Sequence, residues 1–189
     1  MPREQLPQRH VVAARHGRDQ LVVVHHPLYC DTRASGSLAS GLSRCGRRVC
    51  PVYVTQSTFE DGTCSNGGAL SSIGASWTIL TSLFTGNRAI GWGANSARGG
   101  MAGGGSGGAV YADGNRFAIR IAGTVIHGNR ANEGGGAVFF VSNDDTGELT
   151  IDHSRLTGNR NAGFETAGLP VICFHSTGRA PITASTLNR

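Results

Sequence analysis

The chain has 189 residues and is 39% hydrophobic, enough for one domain with its own core. Glycine is abundant at 29 residues, charge is sparse at 15%, and all 17 basic residues are Arg. The lack of Lys excludes a P-loop nucleotide site, whose G-K-[ST] step needs that side chain, and no apolar run nears the about 20 residues that cross a bilayer as a helix.

Residues 1–50 carry the excess charge. Eight Arg there face Glu4, Asp19 and Asp31, while the rest of the chain is neutral. A basic segment can meet nucleic acid or an anionic membrane. This one has a single aromatic, Tyr29, no basic block longer than Arg47-Arg48 and no nucleic-acid module, which argues against nucleic acid as partner. "LVVVHH" at 21–26 is its one convincing strand and is too short for the apolar core of a signal peptide. The segment reads as a poorly structured N-terminal extension or cap. Cys30, Cys45, Cys50, Cys64 and Cys173 form no zinc-type spacing. A disulfide among the first four fits an exported protein, and free thiols are the alternative.

From residue 51 the chain repeats. The units begin at "VTQSTFEDGTCSNGGALSSIG", "ILTSLFTGNRAIGWG", "IRIAGTVIHGNRANEGGGAVFF", "LTIDHSRLTGNRNAGFETAGLPVICF" and "PITASTLNR". Each has alternating apolar residues, a small polar residue, an apolar anchor in [FIL]-x-G-N-R, a polar stretch and then G-G-A-[VL]. The anchors Phe59, Phe84, Ile126, Leu156 and Leu187 are spaced by 25, 42, 30 and 31 residues. The long interval holds the glycine-rich excursion 91–106. Its "GGMAGGGSGG" has neither the Lys of a P-loop nor a helix to follow a dinucleotide fingerprint, so it reads as a loop and no nucleotide is expected.

Within the units, Phe117, Ile119 and Ile121 alternate with Ala118 and Arg120, and Leu149, Ile151 and His153 with Thr150 and Asp152. Period two predicts strands. A second strand is expected over each G-G-A run, with Val138 or Phe139 pointing inward. No stretch holds a 3.6-residue period, so helices are expected to be nearly absent. One such unit cannot bury its own apolar face, whereas stacked units can. Stacking would set Asn87, Asn129 and Asn159 above one another, each satisfying the next one's amide. The prediction is an all-β chain: a right-handed parallel β-helix, or solenoid, of about five coils over 51–189. It breaks off inside the fifth unit, as a chain truncated at its C-terminus would.

The pairing of "FTGN" with "GGAV" resembles the GGA[ILV]/FxxN repeats of bacterial polymorphic outer-membrane-type proteins, and more broadly the right-handed β-helix repeat proteins of the pectate-lyase-like (pectin lyase-like) class. The likeness spans about residues 52–189. The first unit departs with Gly62 in the Asn slot, and the fourth lacks a clean G-G-A.

The resemblance implies a secreted or cell-surface location. It also implies one of three functions: a non-catalytic, adhesive or carbohydrate-contacting repeat protein; a polysaccharide lyase or glycosidase; or a fragment of a larger exported protein. Arg88, Arg130 and Arg160 share one repeat slot, so stacking would make them a basic stripe. Such a stripe is a candidate contact for a polysaccharide or cell-surface glycan, with Arg forks on carboxylates. A solvated turn position is the plainer reading. Asp113, Asp144, Asp145 and Asp152 are the acids available for catalysis, but they lie in turn sequences and share no slot. His127, His153 and His175 also fall in different slots. The sequence therefore assigns no catalytic residue, metal site or cofactor.

Overall fold

A computed structural model describes residues 52–93 and 103–189 in full, together with the backbone of three short strands nearer the N-terminus. Those three are β1 (Val11–Val12), β2 (Val24–His25) and β3 (Asp31–Ala39). The expectations for Cys30, Cys45 and Cys50, and for most of the basic N-terminal segment and of the glycine excursion, lie outside the described residues. The described chain is all-β, and no helix occurs among the described residues.

β4 (Val52–Cys64) is the longest strand and the organiser. After it come β5 (Leu70–Ile73), β6 (Trp77–Leu80), β7 (Leu83–Thr85), β8 (Arg88–Ala89), β9 (Val110–Gly114) and β10 (Ala118–Ala122). Then follow β11 (Val125–His127), β12 (Arg130–Ala131), β13 (Val138–Ser142), β14 (Glu148–Asp152), β15 (Arg155–Thr157) and β16 (Arg160–Asn161). The last are β17 (Ile172–His175), β18 (Ile182–Thr183) and β19 (Thr186–Leu187).

The three parts of β4 pair in parallel with β6, β7 and β8 in turn, so one sheet curls around the chain. Each ladder then grows by one strand per repeat: β6–β10–β14–β18, β7–β11–β15–β19 and β8–β12–β16. A separate parallel sheet runs β5–β9–β13–β17. This geometry is compatible with a β-helix-like solenoid. On its other edge β4 pairs antiparallel with β3, a strand the sequence did not suggest. That pairing satisfies backbone groups the first repeat would otherwise leave open.

Register places like residues over like. Val54, Ile79, Ile121 and Ile151 form one inward column, and Phe59, Phe84, Ile126 and Leu156 another; all eight are fully buried. Phe59 and Phe84 stack with centroids 4.7 Å apart and planes within 7°. Across the core stand Leu70, Val110, Val138 and Ile172, also buried. Burying each such side chain contributes about 1.5–3 kcal/mol. Val138 and Phe140 face inward, whereas Phe139 lies half-buried on the outer face. His153 does not continue the alternation of β14. It is an exposed corner residue with φ of 44°.

That corner recurs. Gln56, Thr81, Gly123, His153 and Ala184 all have φ between 44° and 59°. For non-glycine residues this left-handed region is uncommon and costs energy. A column of hydroxyls immediately after the corner offsets the cost. The Ser82 Oγ donates to Leu80 O (2.8 Å) and accepts from Ser57 N (3.1 Å). Thr124, Ser154 and Ser185 repeat both bonds in their own repeats.

Candidate functional site

The second corner builds the amide column. Gly86, Gly128 and Gly158 have φ of 66–68° and deliver Asn87, Asn129 and Asn159 inward, each at most 1% exposed. Asn87 Nδ2 donates to Asn129 Oδ1, and Asn129 Nδ2 to Asn159 Oδ1, both at 2.8 Å. The same oxygens accept the backbone N–H of Asn87 (2.9 Å) and of Asn129 (3.0 Å). In the first repeat, Gly62 N donates to Asn87 Oδ1 at 3.0 Å, so the column starts without an Asn of its own. These bonds are structural: they satisfy buried polar atoms that would otherwise be orphaned.

One residue later the chain turns outward. Arg88, Arg130 and Arg160 pair in direct register along β8–β12–β16 and are all exposed. Among the described residues, none of the three makes an ion pair. The segments that carry them, 83–89, 125–131 and 155–161, hold His127 and Arg155 as well and no Asp or Glu. Like charges directly opposite on a ladder repel; the first turn of the same ladder differs, since β4 brings the exposed Glu60 opposite Thr85 and Asp61 against Gly86. The inner neighbours of the arginines are small: Ala89 and Ala131 fill the buried side of the same ladder.

The four acids considered for catalysis each have hydrogen-bond or ion-pair partners of their own. Asp113 accepts from Tyr111 Oη (3.1 Å) and Asn143 Nδ2 (2.9 Å). Burial, with the nearby Asp113 carboxylate second, pushes the Tyr111 hydroxyl well above its ordinary value. Asp144 caps its own turn through Thr146 and Ser142, and the Thr146 hydroxyl holds its carboxyl below the usual range. Asp152 accepts from Thr183 Oγ1 (2.6 Å) and contacts His153 Nδ1 (2.8 Å), and the Thr183 hydroxyl leads in lowering it. Asp145 lies 3.6 Å from His175. Among the described residues, no three His, Cys, Asp or Glu side chains gather where they could hold a metal ion.

Two features escaped the sequence. The hydroxyl column was visible only as "a small polar residue" two positions before each apolar anchor; its regular place was the available signal. Phe164 lies in the fourth repeat's irregular stretch, 49% exposed and edge-on to Phe139, with ring centroids 6.3 Å apart. An aromatic inside an otherwise polar loop was its only mark. Cys64 is disulfide-bonded and its partner lies outside the described residues, whereas Cys173 is free. A cavity of about 440 Å³ opens near the last strands between Leu169, Phe174, Ala180 and Arg179. No helix of the described chain is long and apolar enough to cross a membrane.

No protein-family model, curated protein or solved structure matches the chain.

Proposed function

We propose that the chain is a right-handed parallel β-helix of about five coils that serves as a non-catalytic, exported or surface repeat protein and contacts an anionic glycan through its arginine face. The observation that carries this reading is the in-register stack of Arg88, Arg130 and Arg160, exposed and without an ion pair among the described residues. A repeat polymer with one carboxylate or sulfate per sugar ring would supply the missing charges, each guanidinium presenting two parallel donors to one anionic group. Ladder spacing supports this, since neighbouring arginines sit about 4.8 Å apart along the stack, close to the length of one pyranose. The disulfide at Cys64 supports export, because such bonds persist in oxidising compartments.

Calorimetric titration of the intact chain with acidic polysaccharides tests the reading. Binding should weaken steeply with salt, and the Arg88→Ala/Arg130→Ala/Arg160→Ala variant should lose it. Salt-independent binding, or a triple variant that binds as well as the parent, would overturn it.

A further inference from the structure

We propose that Phe164 is the stacking platform of a saccharide subsite whose charged wall is Arg130 and Arg160. An acidic sugar would then be held by its C–H face as well as by its anionic group. The proposal rests on the glycan reading above and adds a residue that this reading does not require.

An exposed aromatic is by itself unremarkable on a protein surface. Phe164 differs in being fixed while exposed. Its carbonyl accepts from Gly135 N (3.1 Å) and Asn161 Nδ2 (3.2 Å), and Gly163 N next to it donates to Glu133 O (3.0 Å). Its ring lies on Gly134, where an added Cβ would stand 2.4 Å from the ring carbon Cε2. A bare backbone bed therefore seats the ring, Phe139 holds it edge-on at 70°, and about half of the residue stays open. Such a ring offers broad contact area with little conformational freedom to lose on binding.

Chain geometry ties the ring to the arginines. Phe164 follows Arg160 by four residues and Gly134 follows Arg130 by four, so their Cα atoms lie within about 14 Å; the acids in the same stretches are engaged, Glu133 by Gly93 N and Glu165 by Arg189. The loops that carry them run side by side, hydrogen-bonded at Glu133–Gly163 and Gly135–Phe164. A short oligosaccharide spans that distance. The negative face of the ring suits the electropositive C–H face of a pyranose, and the arginines suit its carboxylate or sulfate. Single-stranded nucleic acid is the less fitting occupant, since it calls for a series of platforms along a strand.

The test titrates the full chain with a hexuronic-acid oligosaccharide, a sulfated one, the uncharged hexose counterpart and a single-stranded oligonucleotide. Phe164→Ala should weaken one or both acidic oligosaccharides roughly tenfold without changing the salt slope, and Phe164→Tyr should restore affinity. Arg130→Ala should flatten the salt slope instead. The stronger of the two acidic ligands identifies the anionic group. If Phe164→Ala binds like the parent while Arg130→Ala is weakened, the platform is wrong and the charge reading stands. If the parent binds neither acidic oligosaccharide, both fall. Oligonucleotide binding lost in Phe164→Ala would make the ring a base platform and overturn the saccharide assignment.

Discussion

Truncating Asn129 to Ala is the sharpest test of how the repeats hold together. The Asn129 side chain donates from Nδ2 to Phe84 O (3.0 Å), His127 O (3.1 Å) and Asn159 Oδ1 (2.8 Å). Its Oδ1 accepts from the backbone N–H (2.9 Å) and Nδ2 (2.8 Å) of Asn87. The Asn87 Nδ2 keeps Phe59 O as a partner, but its backbone N–H is left with none, in a residue that is 0% exposed. The three Nδ2 contacts share two amide hydrogens; one orphaned buried donor costs about 1–3 kcal/mol and each of about three further net bonds about 0.5–1.5, so the expected loss is about 3–7 kcal/mol. Against a total stability of about 5–15 kcal/mol for a domain, that is a large fraction. Asn159→Ala provides the internal comparison. Asn159 accepts the same pair of bonds from Asn129 but donates only to Ile126 O. It should cost about 1 kcal/mol less. Urea unfolding monitored by far-ultraviolet circular dichroism reads both values, with the midpoint falling and the slope unchanged. A loss under about 1 kcal/mol for Asn129→Ala, or a greater loss for Asn159→Ala, would refute the shared-oxygen account.

Further outcomes follow from the same geometry. Gly108→Ala should cost about 3 kcal/mol, the upper end of overpacking, since its Cβ would stand 2.1 Å from Gly136 O and backbone must move. Gly128→Ala meets nothing within 4 Å and carries only the strain of φ 67°, about 1–2 kcal/mol; equal thermal shifts for the two would contradict this contrast. Burial pushes the Cys173 thiol from its ordinary value up to about 11. At pH 8 its alkylation by iodoacetamide should run about 100-fold slower than that of a free thiol, and a rate near the free value would count against the burial. Tyr111 stays protonated in the fold at pH values where the unfolded chain ionises. The unfolded state then binds fewer protons, so stability holds below about pH 10 and declines above it. Tyr111→Phe should flatten that alkaline decline in urea midpoints, and an unchanged decline would show that the hydroxyl is not its source.

Repetition made the parallel architecture legible. Phe59, Phe84, Ile126 and Leu156 recur in one sequence context because each must fill the same place above its predecessor, so register is written into spacing. The candidate site was legible to the same extent. A shared slot after Asn puts Arg88, Arg130 and Arg160 in line, since side chains at one ladder position point the same way. Phe164 was not legible, because the fourth repeat breaks its own pattern there and the bed beneath the ring belongs to Gly134, thirty residues earlier.

By itself, the sequence determined that strands predominate, which residues alternate and which positions correspond between repeats; these are local properties, set by side-chain period and turn chemistry. Three things waited for the tertiary structure. The β3 pairing that covers one edge of β4 depends on a non-local antiparallel contact with no periodic signature. The outward placement of Phe139 depends on which face of β13 meets the core, and the corner at His153 on the turn that the Ser154 hydroxyl closes. The partners that Asp113, Asp144 and Asp152 take, Asn143, Ser142 and Thr183, depend on which polar groups the stacked turns bring beside them. Each is a matter of which groups meet across the fold, and a one-dimensional pattern records only the order in which they are strung.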